Sequence, residues 1–374
     1  MSHKREVRGG GLFSMALRPG FQRYALSLQY HGASFLGFQW QHGQEDCIIE
    51  STTTRTKNNR KKIVDMRGWR TVEGRIREAL DECFPDNDSY DNVQGSSRTD
   101  RGVHALKNTM HVDIRQNCQE HPLSSSDLLR RLQRALASQE TVNIHDGYHS
   151  VENDDNFAFI NQQIRLLNAK EAPRYMENPF AVEDTSQTPL VDWNARFSAT
   201  QRTYVYRILQ TASLSCQRAW PFEYDRAWRV PNPLDVNKMQ RAADILQGTH
   251  DFSSFRNAHC QRHSPIVTLN QIRVATTVSS PTSRCWEPWL ANSENSINLS
   301  RQAPQVVTIA VQGNAFVYRQ VRNIVGCLTA VGRGQLEVDD VRDILEAKDR
   351  RCAPVSAPAQ GLFLVDVQHG KFFI

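Results

Sequence analysis

The sequence of 374 residues has no C-x-x-C pair and no histidine pair at metal-ligand spacing. Its eight cysteines, Cys47, Cys83, Cys118, Cys216, Cys260, Cys285, Cys327 and Cys352, are scattered along the chain. That distribution argues against a zinc site and is most simply read as reduced thiols of an intracellular protein. No apolar run approaches the length needed to cross a bilayer, and Leu12 to Leu17 is too short and too interrupted for a secretory h-region. Neither sign of charge dominates: 45 Lys and Arg stand against 40 Asp and Glu, a net of +5, which permits a polyanionic partner without requiring one. What is present is 39% apolar residues in a chain long enough for two domains or one two-lobed unit, so a substantial globular core is expected.

The charge is placed unevenly. Residues 1 to 70 hold twelve Lys and Arg against five acids, so the excess sits in the first fifth of the chain. Residues 1–20 form a basic leader with little helical periodicity, expected to be disordered and compatible with an organelle address, so a cytoplasmic and an organellar location both stay open. Residues 41–68 turn polar, and Thr52 to Lys62 carries no apolar residue at all. That stretch reads as a solvated insertion, with extra phosphate contacts as the alternative. A second insertion-rich region spans 138–190 around a strand at Gln163 to Asn168. The resulting division is a catalytic half at 21–190 and a second half at 191–374.

Between the insertions the periodicities are clear. Tyr24, Leu26, Leu28 and Tyr30 alternate as in a half-buried strand, as do Met110, Val112 and Ile114, and Tyr204, Tyr206 and Ile208. Thr71 is placed to cap a helix carrying Val72, Ile76, Leu80 and Cys83 on one face, and Ser126 to Ala137 is a second helix. Asp235 caps a third, with Gly248 just past its end. Val306 to Val311 is an apolar strand. Val321, Ile324, Val325, Leu328 and Val331 form the stripe of a helix ended by Gly332, with Arg322 off the stripe. A helix with Val338, Val341, Ile344 and Leu345 inward follows, and Ala357 to Val367 reads as a final strand.

Candidate chemistry centres on Ser96 to Ala105, a polar turn entering a strand. Asp100 lies between Thr99 and Arg101 with Arg98 close by, and nearby cations favour an anionic carboxylate, while Gly102 lets a ligand approach the backbone. Taken alone, the loop reads first as ordinary turn chemistry, since Asp and Gly are commonplace in turns. Arg98-Thr99-Asp100 with Gly102-Val103-His104-Ala105 resembles the R-T-D-x-G-V-H-A signature of the TruA family of tRNA pseudouridine synthases. Five further segments resemble the same family in order. Arg23 to Gln39 is similar to its opening motif, with His31 where the family has Asp and Phe38 where it has Trp. Ala195 to Tyr206 is similar to A-R-F-S-A-x-x-R-x-Y-x-Y, and Asp251 to Arg256 to D-F-x-S-F-R. Asn314 to Gly326 is similar to N-x-F-x-x-x-M-V-R-x-I-V-G, with Gln320 in place of Met, and Ala357 to Val367 is similar to the family's ending.

The resemblance implies an α+β fold of two similar α/β halves, their antiparallel sheets joined into one central sheet flanked by helices. It implies isomerisation of uridine to pseudouridine in tRNA, in the anticodon stem-loop, with the enzyme commonly a homodimer and with no metal or cofactor. Asp100 would be the nucleophile, attacking C1′ or C6, and Arg322 its ion-pair partner. Tyr204 would stack on the base and take the C5 proton, leaving Tyr206 to the core. Arg98 would fill the space left by the flipped base or hold phosphate, and Thr99, Arg101, Arg202 and His104 would complete the substrate-binding set. A hydrogen-bonded structural role is the alternative for His104. Leu364 would pack against the uracil, with core packing the alternative. Two other readings remain: a catalytically silent tRNA-binding protein of the same fold, and a nucleoside hydrolase, for which no second acid stands out.

Overall fold

The computed structural model describes residues 17–39, 71–86, 88–116, 123–141, 163–174, 176–177, 190–211, 223–277, 305–372 and 374. The leader up to residue 16, the insertion at 41–68, most of 138–190 and the loop at 279–304 lie outside the described residues.

The first half runs β1 (Phe21–Tyr30), α1 (Val72–Cys83), β2 (Tyr90–Gly95), β3 (His104–Arg115), α2 (Ser125–Thr141) and β4 (Ile164–Glu171). A small two-stranded ladder follows, β5 (Met176–Glu177) with β6 (Leu190–Val191). The second half runs β7 (Gln201–Thr211), β8 (Trp228–Pro231), α3 (Val236–Ile245), β9 (Gly248–Asp251), β10 (Ile266–Thr277), β11 (Gln305–Gly313), α4 (Gln320–Gly332), α5 (Asp340–Ala347) and β12 (Leu362–Gln368).

Ten of these strands form one sheet in the order β4-β1-β3-β12-β7-β11-β10-β9, with β2 on β3 and β8 on β7. The two halves meet at β12. Its residues Phe363 and Leu364 pair in parallel with His104 and Ala105 of β3, and its other edge runs antiparallel to β7, with Leu364 opposite Tyr204. The sheet is therefore mixed where the sequence suggested antiparallel halves: β12 on β3 and β8 on β7 are parallel. Lys107 and Asp366 form an ion pair at 3.1 Å across the seam.

Helices cover one face of the sheet, where the main core gathers Leu26, Met110, Ile76, Leu132, Tyr206, Ile309, Ile324 and Leu328. Caps act where the sequence placed them. The Thr71 side chain accepts from the Gly74 amide at 3.1 Å, and the Asp235 carboxylate from the Lys238 amide at 2.9 Å. Helix α4 departs from the expected amphipathic stripe, because every residue from Gln320 to Gly332 except Arg322 is buried.

Strand β3 departs too. Asn108 through Ile114 are buried on both faces, because Trp193, Ala195 and Phe372 cover the side away from the main core. There the Arg23 guanidinium spans both Asp113 carboxylate oxygens at 2.6 and 2.8 Å and donates to the Trp193 carbonyl at 2.8 Å, a paired arrangement that makes two buried charges tolerable. Residues 357–361, expected as the start of the final strand, form an irregular strap ending in the 3-10 turn Ala359–Gly361. Cys83, Cys260, Cys327 and Cys352 are free thiols. Among the described residues no helix is long and apolar enough to cross a membrane.

Candidate active site

The loop 96–103 joins β2 to β3 at the seam, and the first half holds it from several sides. The Tyr30 hydroxyl hydrogen bonds with Thr99 Oγ1 at 2.8 Å, and the Asn108 amide donates to the Ser97 carbonyl at 3.0 Å and to the Tyr30 oxygen at 3.3 Å. Gly37 bridges to Asp100, and the Phe38 amide donates to the Thr99 carbonyl at 3.0 Å. Two glycines make that approach possible. A Cβ on Gly32 would fall 2.0 Å from the Val103 carbonyl oxygen, and Gly37, at φ +127°, would bring one within 3.1 Å of the Thr99 carbonyl.

From the second half comes Arg322, the third residue of α4. Its Nη1 donates to Asp100 Oδ2 at 3.1 Å, joining side chains 222 positions apart that are 13% and 14% exposed. Its Nε donates to the Ala357 carbonyl at 2.8 Å, and its own carbonyl accepts from the Ala357 amide at 3.0 Å, so the strap fixes the guanidinium. Both charges thus sit at the seam, sheltered but not sealed from solvent.

Tyr204 lies beside this pair. Burial raises its phenol above the ordinary value; Ser97 and Arg202 act against that rise and the nearby Asp100 carboxylate adds to it. Its ring meets Phe316 edge-on at 5.0 Å. Tyr206, two residues on, is fully buried and donates to the Pro358 carbonyl at 2.7 Å.

The remaining residues named from the sequence fall in distinct places. Arg98 is exposed on the loop and donates to Gln261 Oε1 of the second half at 3.0 Å. Partial desolvation and the neighbouring Arg196 guanidinium lower its pKa. Arg101 is exposed and Thr99 is buried. Arg202 donates to the carbonyls of Asn314 at 2.7 Å, Ser96 at 3.1 Å and Arg196 at 3.2 Å, so it ties the loop 96–103 to the second half. Desolvation lowers its pKa, with Arg196 and Arg262 adding to the effect. Leu364 is fully buried between Ala105 and Tyr204. His104 has both ring nitrogens engaged: Nδ1 accepts from the Gly32 amide at 3.1 Å, which leaves Nε2 to donate to the Asp225 carbonyl at 2.9 Å. Burial and the neighbouring His31 push its pKa down to about 4, so the ring is neutral at pH 7.

Sequence reasoning missed the glycine clasp and the strap. Glycine after a tyrosine strand was visible as a turn, but what the turn touches was not. A guanidinium-clamped aspartate beside a buried tyrosine, at the seam of two joined sheet halves, is the arrangement expected of a pseudouridine synthase.

Comparison with known proteins agrees. Residues 242–369 match the family described as tRNA pseudouridine synthase. The chain is 31% identical over 349 residues to tRNA pseudouridine synthase A of Xanthobacter autotrophicus, covering 93% of this chain and 99% of the relative. It is 29% identical over 348 residues to the protein of that name from Ehrlichia canis, covering 93% and 100%. Against that from Rhizobium meliloti it is 28% identical over 348 residues, covering 93% and 99%. The chain belongs to the tRNA pseudouridine synthase family, isomerases acting on tRNA.

Proposed function

We propose that this chain converts uridine to pseudouridine in the anticodon stem-loop of tRNA, with Asp100 as nucleophile, Arg322 as its ion-pair partner and Tyr204 stacking on the base and taking the C5 proton. The contact between Arg322 and Asp100 carries this reading. A hydrogen-bonded guanidinium aims one carboxylate oxygen and leaves the other for substrate.

The reaction balances within the nucleoside. Asp100 attacks C1′ or C6, the N1 to C1′ bond breaks, the uracil turns while held, C5 bonds to C1′, and the bond to Asp100 breaks to return the free carboxylate. C5 then gives up its proton and N1 gains one. No electron is transferred, so the chemistry calls for no redox cofactor, and a carboxylate nucleophile with a phenol base supplies what the steps need. To reach the carboxylate the uridine must leave its stack. Arg98, on the exposed rim, fits the role of filling the vacated space or holding phosphate. Arg101 and Thr99 flank the same carboxylate, and Arg202 positions the loop they share. Leu364, buried and opposite Tyr204 in the β7–β12 ladder, supports that tyrosine from the neighbouring strand, and the doubly engaged His104 fixes the end of the loop.

The test is Asp100→Asn. Loss of pseudouridine with retained tRNA binding supports the isomerase; pseudouridine formed at the wild-type rate overturns it. Wild-type protein that binds tRNA and forms none would be the silent binder. Sequencing pseudouridines in tRNA from cells lacking the protein tests the anticodon stem-loop, and sedimentation in the presence of tRNA tests a homodimer.

A further inference from the structure

The strap 357–361 has two sets of neighbours. Ala357 clips to Arg322, and the Ala359 methyl lies 3.3 Å from where a Cβ on Gly102 would stand. Pro358 and Gln360 instead line a cavity of about 510 Å³, shared with Tyr224, Asp225, Ala227, Trp228 and Arg229. One thickness of chain therefore separates this cavity from the catalytic loop. None of its lining residues contributes to the pseudouridine chemistry described above.

Its lining is built from aromatic rings with cations over them. The Arg229 guanidinium stands 5.4 Å from the centre of the Tyr224 ring, and that of Arg333 stands 5.5 Å from the centre of Trp228. Tyr224 is 74% exposed, so most of its ring stays accessible beside the Arg229 contact. The walls are anchored. Glu223, buried, is gripped by Arg207 at 2.8 and 3.1 Å. The Asp225 carboxylate pairs with His31 at 2.9 Å, and its carbonyl holds His104. The Trp228 ring meets Tyr206 edge-on at 6.3 Å.

We infer that this cavity is a second nucleotide subsite, taking an unstacked base of the same RNA strand whose uridine reaches Asp100. The inference rests on the proposed function for the identity of that strand. Aromatic faces flanked by guanidinium groups suit a nucleobase, which every strand presents as a π-face. Arg226, Arg229 and Arg333 supply cations for the adjoining phosphates, and the Gln360 amide can both donate to and accept from a base edge. The volume lies within the range of about 300–1,000 Å³ typical of small-ligand sites.

The test uses the full chain, a tRNA transcript as substrate, and fluorescently labelled pentauridylate as a binding probe. Tyr224→Ala and Gln360→Ala are expected to raise KM for tRNA about tenfold and to weaken pentauridylate binding similarly, with kcat within about twofold. Tyr224→Phe, which keeps the ring, restores both. Unchanged KM and unchanged probe binding in Tyr224→Ala overturn the subsite, while Asp100→Asn in the same assay reports separately on the chemistry. If the wild type forms no pseudouridine, the pentauridylate titration alone decides the subsite. A Tyr224→Ala variant that changes oligomeric state in sedimentation without changing either affinity identifies the cavity as a contact between copies, and also overturns it.

Discussion

Replacing Arg322 with Met removes the cation while keeping most of the volume of its stem. At the 3.1 Å separation of this pair, two unit charges attract by about 5 kcal/mol at an effective dielectric of ~20 and by about 1 kcal/mol in bulk water. With the side chains 13% and 14% exposed, the pair lies nearer the first value than the second. Breaking such a sheltered pair costs about 3–5 kcal/mol, because it leaves Asp100 uncompensated. The lost bond from Nε to the Ala357 carbonyl adds about 1 kcal/mol, but the backbone bond from the Ala357 amide to residue 322 survives and keeps the strap in place. If most of the cost falls on the reacting complex, kcat drops about 10²- to 10³-fold at ~1.4 kcal/mol per decade, with tRNA affinity within about threefold. Release of tritium from tRNA labelled at uridine C5 measures the rate, and filter binding measures affinity. Arg322→Lys should fall between the two, since one ammonium cannot span both Asp100 and Ala357 in the same geometry. A methionine variant turning over within about twofold of wild type would refute the role given to the ion pair.

Gly32→Ala would set a Cβ 2.9 Å from the His104 amide nitrogen and closer still to the Val103 carbonyl, so it should cost about 1–3 kcal/mol in urea unfolding and slow turnover by shifting the loop. Tyr204→Phe keeps the ring but removes the phenol, and should slow product formation about 10²-fold or more with tRNA binding little changed; an unaltered single-turnover rate removes the hydroxyl from the chemistry. Acid should destabilise the fold through two neutral histidines, His104 held down to about 4 and His369 to about 3, in both cases chiefly by burial. Their folded values lie below the ordinary 6.5, so the unfolded chain binds protons first. Their contribution is whole above pH 6.5 and declines by up to about 1.4 kcal/mol per pH unit for each histidine as the pH falls toward the folded values. Urea titrations from pH 7 to 4.5 read this slope, which should flatten in His104→Gln and His369→Gln.

How far the sequence could be read depended on what each pattern reports. Alternation at Tyr24 to Tyr30 and Tyr204 to Ile208 located strands well, since helices lie over that face and select for apolar side chains. The same alternation misjudged β3. Thr109, His111 and Asp113 look like a solvent face, yet Arg23, Trp193 and His369 cover them, and polar residues satisfied by partners leave no sign of burial in hydropathy. Asp100 and Arg322 could be joined only through resemblance, because no periodicity connects positions 222 apart. The strap at 357–361 reads as a strand by composition, and its use of backbone carbonyls to hold Arg322 and Tyr206 is invisible to side-chain patterns. Arg202, named for substrate, also donates to the carbonyls of Ala199, Asn314, Ser96 and Arg196, a fastening between lobes that its place in a motif does not reveal.

Strand β12 has a consequence for biosynthesis. The element that zips the two lobes together lies far downstream of β3, so the earlier lobe must wait, with one edge of His104 and Ala105 unpaired, while more than two hundred further residues are made. Translation that stops before residue 362 yields a protein with its carboxylate loop formed but without the strand that pairs the two sheets. Such fragments should be inert toward RNA and quickly cleared, so that active enzyme appears only from chains carried through to the closing strand.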